Sequence, residues 1–76
     1  MRIELDKERS RRMIEKIRMF MEDEFDQPIG ELKAGLLLEF VVNELGPSIY
    51  NQGLSDAQAF VQDKLIDLES ALRLDE

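Results

Sequence analysis

The chain has no cysteine and no histidine, and each absence removes a class of chemistry. Without cysteine there is no disulfide framework and no thiol nucleophile. Without histidine the usual proton shuttle near neutral pH is missing. With neither, a structural zinc site has no nitrogen or sulfur ligands to draw on. Long apolar runs are absent as well. The most apolar stretch is interrupted at Glu39, far short of the ~20 residues a membrane span needs, so no membrane partner is expected. Arg2, Glu4, Asp6 and Lys7 open the chain with no apolar run behind them, so no signal peptide is expected. Together with the lack of cysteine, this fits a soluble protein of the cytoplasm.

What the chain does contain is enough for one domain, residues 1–76, with a small core. Small folds compensate with disulfides, a metal or oligomerisation. The first two are closed by composition, which leaves oligomerisation. The net charge of −7 hides an asymmetry: residues 1–18 carry +3 and residues 19–76 carry −10. A strongly acidic whole argues against general nucleic-acid affinity, while the basic N-terminal segment keeps the question open locally.

Hydrophobic spacing predicts an all-α fold of three helices after a short extended lead-in. Asp6 reads as the N-cap of helix 1, about residues 7–25, whose stripe is Met13, Ile14, Ile17, Phe20 and Met21. Its opposite face offers Glu8–Arg12, Arg11–Glu15 and Arg18–Glu22 pairs. Pro28 and Gly30 punctuate the break that follows. Helix 2, about 30–45, holds Leu36-Leu37-Leu38-Glu39-Phe40-Val41-Val42, apolar on nearly every side. Such a helix must be buried all round, which places Phe40→Ala in the ~3–5 kcal/mol class of buried aromatic truncations. Gly46-Pro47 matches the preference for glycine past one helix and proline at the start of the next, so a corner is expected there. Helix 3, about 47–73, carries a heptad-like seam of Tyr50, Leu54, Ala57, Val61, Leu65, Leu68 and Leu72. One continuous helix is preferred, with a restart at Ser55, the start of a capping box, as the alternative. Gly35 and Gly53 interrupt helical patterns, and close backbone packing against small neighbours would explain them.

Candidate chemistry is sparse. Glu22-Asp23-Glu24 with Asp26 is the densest carboxylate group, but its spacing is not that of an EF-hand loop, and a solvated helix end accounts for it. No nucleophile has an activating context and no glycine loop could cradle a phosphate. No catalytic residue, metal ligand or cofactor is therefore assigned, and the protein is not expected to be an enzyme. Tyr50, Asn51, Gln52 and Asp56 form one polar constellation after the expected corner. Polar groups that become buried need partners, so these four are expected to order the corner and a subunit contact rather than hold a ligand.

The run Ile29-Gly30-x-Leu32-x-Ala34, Leu37-Leu38-x-Phe40, Leu45-Gly46-Pro47-x-Ile49-Tyr50-Asn51-Gln52 and Asp56-Ala57 resembles a family of small bacterial helical proteins known only as a domain of unknown function. The opening Ile3-x-Leu5-Asp6-Lys7-Glu8 is similar too, so the resemblance spans nearly the whole chain. Gly-Pro-x-Ile-Tyr-Asn-Gln is its most specific block. The resemblance implies a compact bacterial helical protein and brings no catalytic residues.

The expected function is thus a homo-oligomeric helical bundle, a homodimer serving as a protein–protein interaction module, with an unidentified protein partner and no catalysis. Leu65, Leu68 and Leu72 are the candidate dimer interface, because they extend past what shorter helices could cover. In an up-down-up bundle the acidic end of helix 1 would lie beside Asp63, Asp67 and Glu69 and be repelled. An antiparallel subunit contact would instead bring the basic half of helix 1 to the acidic end of its neighbour. The alternative is a small nucleic-acid-binding regulator using residues 1–18, with Arg9, Arg11, Arg12 and Lys16 as contacts. A ribbon-helix-helix arrangement would then place Ile3–Leu5 as a strand in the major groove.

Overall fold

The computed structural model describes residues 1–76 and is all helical, with no strand. Helix α1 spans Lys7–Phe25, α2 spans Glu31–Phe40, a π-helical turn occupies Val41–Leu45, and α3 spans Gly46–Leu72. The last three are continuous. The chain therefore forms two helices in space, a short one and a long rod, rather than three.

Helix α1 begins where its cap begins. The Asp6 carboxylate accepts a hydrogen bond from the Arg9 backbone N–H at 2.7 Å, satisfying one of the otherwise unpaired first-turn donors. At the other end Asp26 takes a left-handed conformation, φ 51° and ψ 39°. There the Asp26 N–H donates to the Glu22 carbonyl and the Gln27 N–H to the Met21 carbonyl, both at 3.1 Å. The Asp26 bond closes the helix with a left-handed cap without glycine. The surface pairs differ from those expected: Arg11 reaches Glu8 at 3.4 Å and Arg18 reaches Glu15 at 3.1 Å, both toward the N-terminus at i,i+3 spacing. Arg18 is drawn that way because its Nε donates to the Ile29 carbonyl at 3.0 Å and clips the loop to α1.

The expected corner at Gly46-Pro47 is not a corner. Proline lacks an N–H and its ring crowds the carbonyl four residues back, here Asn43. The backbone resolves this by widening: the Gly46 N–H donates to the Val41 carbonyl, five residues back, and Gly46 itself is right-handed helical at φ −55°. A wide turn of this type inserts one residue and leaves the helix intact. Gly46 has another reason to be glycine. A Cβ there would meet Ile3 Cδ1 at 2.9 Å, so the N-terminal lead-in lies directly against this turn.

Three pairings fix how α1 packs on the rod: Arg18 with Ile29, Ile14 with Gly35, and Ile3 with Gly46. One index falls as the other rises, so α1 is antiparallel to α2, with the lead-in continuing along the π turn. Ala34 and Leu38 are the only two buried residues, at 0% and 9% exposure. Ala34 is the small residue that lets the helices approach. Gly35 has ordinary spacing to Ile14 Cδ1, 3.9 Å from the Cβ it lacks, and Gly53 faces open space, so neither glycine admits a close backbone in the protomer.

Beyond its first turns, which the lead-in approaches at Ile3, helix α3 packs on no helix and meets only the π turn it grows from. The molecule is accordingly long, 69 × 27 × 21 Å, and α1 and α3 never lie side by side. The repulsion expected between their acidic ends does not arise, since the two ends sit at opposite extremes of the chain.

Candidate functional site

The lead-in, the π turn and the first turns of α3 enclose a hollow of about 570 Å³. Ile3, Val42, Pro47, Tyr50 and Leu54 supply its apolar wall, with Arg2, Asn43 and Asn51 at its polar edge. Its position follows from the sequence. Ala34, Leu38, Val42, Gly46, Tyr50 and Leu54 recur every four residues. In a helix of 3.6 residues per turn such a stripe drifts around the axis. The extra residue in the wide turn takes up that drift where it matters, so Val42, Tyr50 and Leu54 line one hollow. The α3 seam thereby continues the face that α2 turns toward α1.

The four residues of the polar constellation are divided by this geometry. Tyr50 and Asn51 line the hollow, whereas Gln52 donates from Nε2 to Asp56 Oδ1 at 3.0 Å along the outside of α3. All four are exposed, and no buried side-chain polar atom lacks a partner. They do not cap a corner, because the backbone there is continuous helix with its own bonds.

Leu65, Leu68 and Leu72 are all exposed, Leu68 at 52%. With Tyr50, Leu54 and Val61 they make an uncovered apolar stripe along α3. A second exposed stripe, Leu32, Leu36 and Phe40, runs along the outer side of α2. The expectation that Phe40 is buried all round is not met within the chain: it is 56% exposed, because α1 covers only one side of α2.

The basic residues are not gathered into a binding face. Arg9, Arg12 and Lys16 share one side of α1 by helical spacing, while Arg11 points away from it. Arg9 lies 3.6 Å from Asp6, and Arg11 is paired with Glu8. Ile3 and Leu5 are half-buried against the rod rather than extended as a ribbon. The carboxylates at 22–26 do not converge with others into a metal-binding group. No helix is long and apolar enough to cross a membrane.

Comparison with known proteins adds one finding. The model of the uncharacterised conserved protein family DUF2164 matches residues 3–76, nearly the whole chain. The chain belongs to this family. No curated protein and no solved structure matches it. The DUF2164 match takes in the lead-in, both helices and the π turn. The wide turn and the Ile3–Gly46 contact were not anticipated. The signal was present: the four-residue stripe runs through Gly46 without a break, which a true corner would interrupt.

Proposed function

We propose that this DUF2164 protein is a non-catalytic interaction module that works as a homodimer, held together by the apolar seam of α3. The observation that carries this is the seam itself, about 40 Å of helix with leucines facing outward and no element of its own chain against them.

Surface area supports the same conclusion. A compact monomer of 8.9 kDa is expected to expose about 4,800 Å². The chain exposes 7082 Å². The excess, about 2,300 Å², exceeds the roughly 800 Å² per partner of a standard stable interface. A core of two buried residues is also too small to hold a fold by itself, and a seam of six large apolar side chains is the largest reservoir of burial left. Each such side chain contributes about 1.5–3 kcal/mol when fully buried, enough to make association and folding a single event.

Size-exclusion chromatography with light scattering at micromolar concentration tests the proposal. A mass of twice the 8.9 kDa chain is expected. A monomer that keeps full helicity under those conditions overturns it.

A further inference from the structure

We propose that the second copy lies antiparallel on α3, about a two-fold axis at Val61, so that the acidic end of each α3 abuts the basic start of the partner's α1. This rests on the self-assembly proposed above and specifies its geometry.

The first support is the spacing of the seam. From Tyr50 to Leu72 the steps are four, three, four, four, three, four. That sequence reads the same in both directions and centres on Val61. An antiparallel copy therefore sets Tyr50 against Leu72, Leu54 against Leu68, and Ala57 against Leu65. The smallest seam residue faces a large one, as interdigitating cores require. A parallel copy would put Ala57 opposite Ala57 and leave a gap. The same steps make an eleven-residue repeat, which stays close to the pitch of a straight helix and does not demand the left-handed supercoil of heptads. Two straight rods can thus pair along their whole seam.

Charge is the second support. Asp63, Asp67, Glu69, Asp75 and Glu76 crowd the end of α3, where Arg73 is already held by Glu69. A parallel pair would bring these acids alongside their own copies. The antiparallel pair carries Glu69, Asp75 and Glu76 instead to the hollow, where Arg2 lies at the edge and Lys7 begins α1, while Asp63 and Asp67 stay nearer the axis. Neither Arg2 nor Lys7 makes an ion pair within its own chain.

The third support is the helix dipole. Helix α1 and the partner's α3 both run antiparallel to α3, along the same face, so one follows the other end to end. The negative pole of the partner's α3 then meets the positive pole of α1. The pole of α3 is open, with no basic residue in its last turn, whereas that of α1 is already partly offset by Asp6 at its N-cap and Glu8 in its first turn.

The chain's lack of cysteine makes the test clean. Leu54→Cys and Leu68→Cys proteins are oxidised separately and after mixing and refolding together. The expected result is a 54–68 disulfide in the mixture and none in either protein alone. Self-linked Leu54→Cys, or a dimer by mass with no mixed disulfide, overturns the antiparallel register. A second readout spares the seam: spin labels at Ser70→Cys should lie about 27 Å apart along the axis, from nine residues on each side of Val61 at 1.5 Å each. A separation under ~15 Å means parallel strands and overturns the geometry while leaving self-assembly intact. A monomeric mass for the unmodified chain defeats self-assembly itself, so the two failures are told apart.

Discussion

The α1–α2 hairpin and α3 have similar amounts of apolar side chain and opposite fates for it. In the hairpin, Ile14, Ile17 and Met21 of α1 are half-buried, and Ala34 and Leu38 of α2 are shielded. In α3 every residue from Pro47 onward is exposed. Nothing in the local sequence of α3 is less helical or less hydrophobic. The difference is covering: a five-residue loop folds α1 back onto α2, and no segment folds back onto α3. A helix can be fully specified locally and still need a partner to be stable, because helical stability in proteins comes mainly from the packing of its apolar face. The hairpin has a covered face within the chain, whereas the apolar face of α3 has no covering from its own helices.

That contrast can be broken most forcefully at Leu38. Leu38→Ala removes one of only two buried side chains and should cost about 2–4 kcal/mol, enough to lose the hairpin in a chemical denaturation experiment. A midpoint near wild type would mean that the hairpin is not the chain's own core. Next comes Leu68→Asp, which places a charge on the α3 seam and should reduce helicity and association together. It should weaken association by at least ~100-fold, about 2.7 kcal/mol; sedimentation equilibrium reads this directly, and an unaltered dimer would exclude the seam.

Phe40→Ala sharpens the comparison from the other side. With the ring 56% exposed, the loss should be about 1 kcal/mol rather than the ~3–5 of a buried aromatic. A loss in the full range would show that the outer stripe of α2 is covered in the assembly as well. The smallest effect is expected at Asp26, whose left-handed φ of 51° is costly for any residue with a Cβ. Asp26→Gly should stabilise the hairpin by about 0.5–1 kcal/mol in thermal melting and leave association unaffected.

How much of this was legible beforehand depended on whether a signal was local. Asp6 as a cap and the break at 26–30 are decided within a few residues and stand in the structure as read. Of the α1 stripe, Ile14, Ile17 and Met21 are half-buried, while Met13 and Phe20 are exposed because the face is wider than the short α2 covers. The all-helical class follows from the same periodicity. Gly46-Pro47 misled because its two preferences are statistical and the dipeptide fits two geometries. Glycine after a helix is favoured when the chain must turn left-handed, yet Gly46 is right-handed and makes room for Ile3, a residue more than forty positions away. Such a contact has no local signature. Phe40 misled for a related reason. An all-round apolar helix implies all-round covering, but sequence does not say that the covering comes from the same chain. The Arg18 pair shifted because Arg18 is recruited by the Ile29 carbonyl across the loop, again a tertiary demand. Tyr50, Asn51, Gln52 and Asp56 were found as a group by adjacency, and helical rotation separates them onto two sides.

The π turn has a mechanical consequence. Apart from the Ile3 contact at its first residue, it is the attachment of α3 to the rest of the chain, and α3 is a stiff arm about 40 Å long. A bend of roughly 10° at residues 41–47 would sweep its tip through about 7 Å. The sweep is lateral, so Leu72 would be carried across a helix lying alongside by most of the roughly 8–10 Å that separates packed helix axes. Leverage of this kind makes Gly46 and Pro47, far from the leucines at the tip, the residues with most control over where those leucines land.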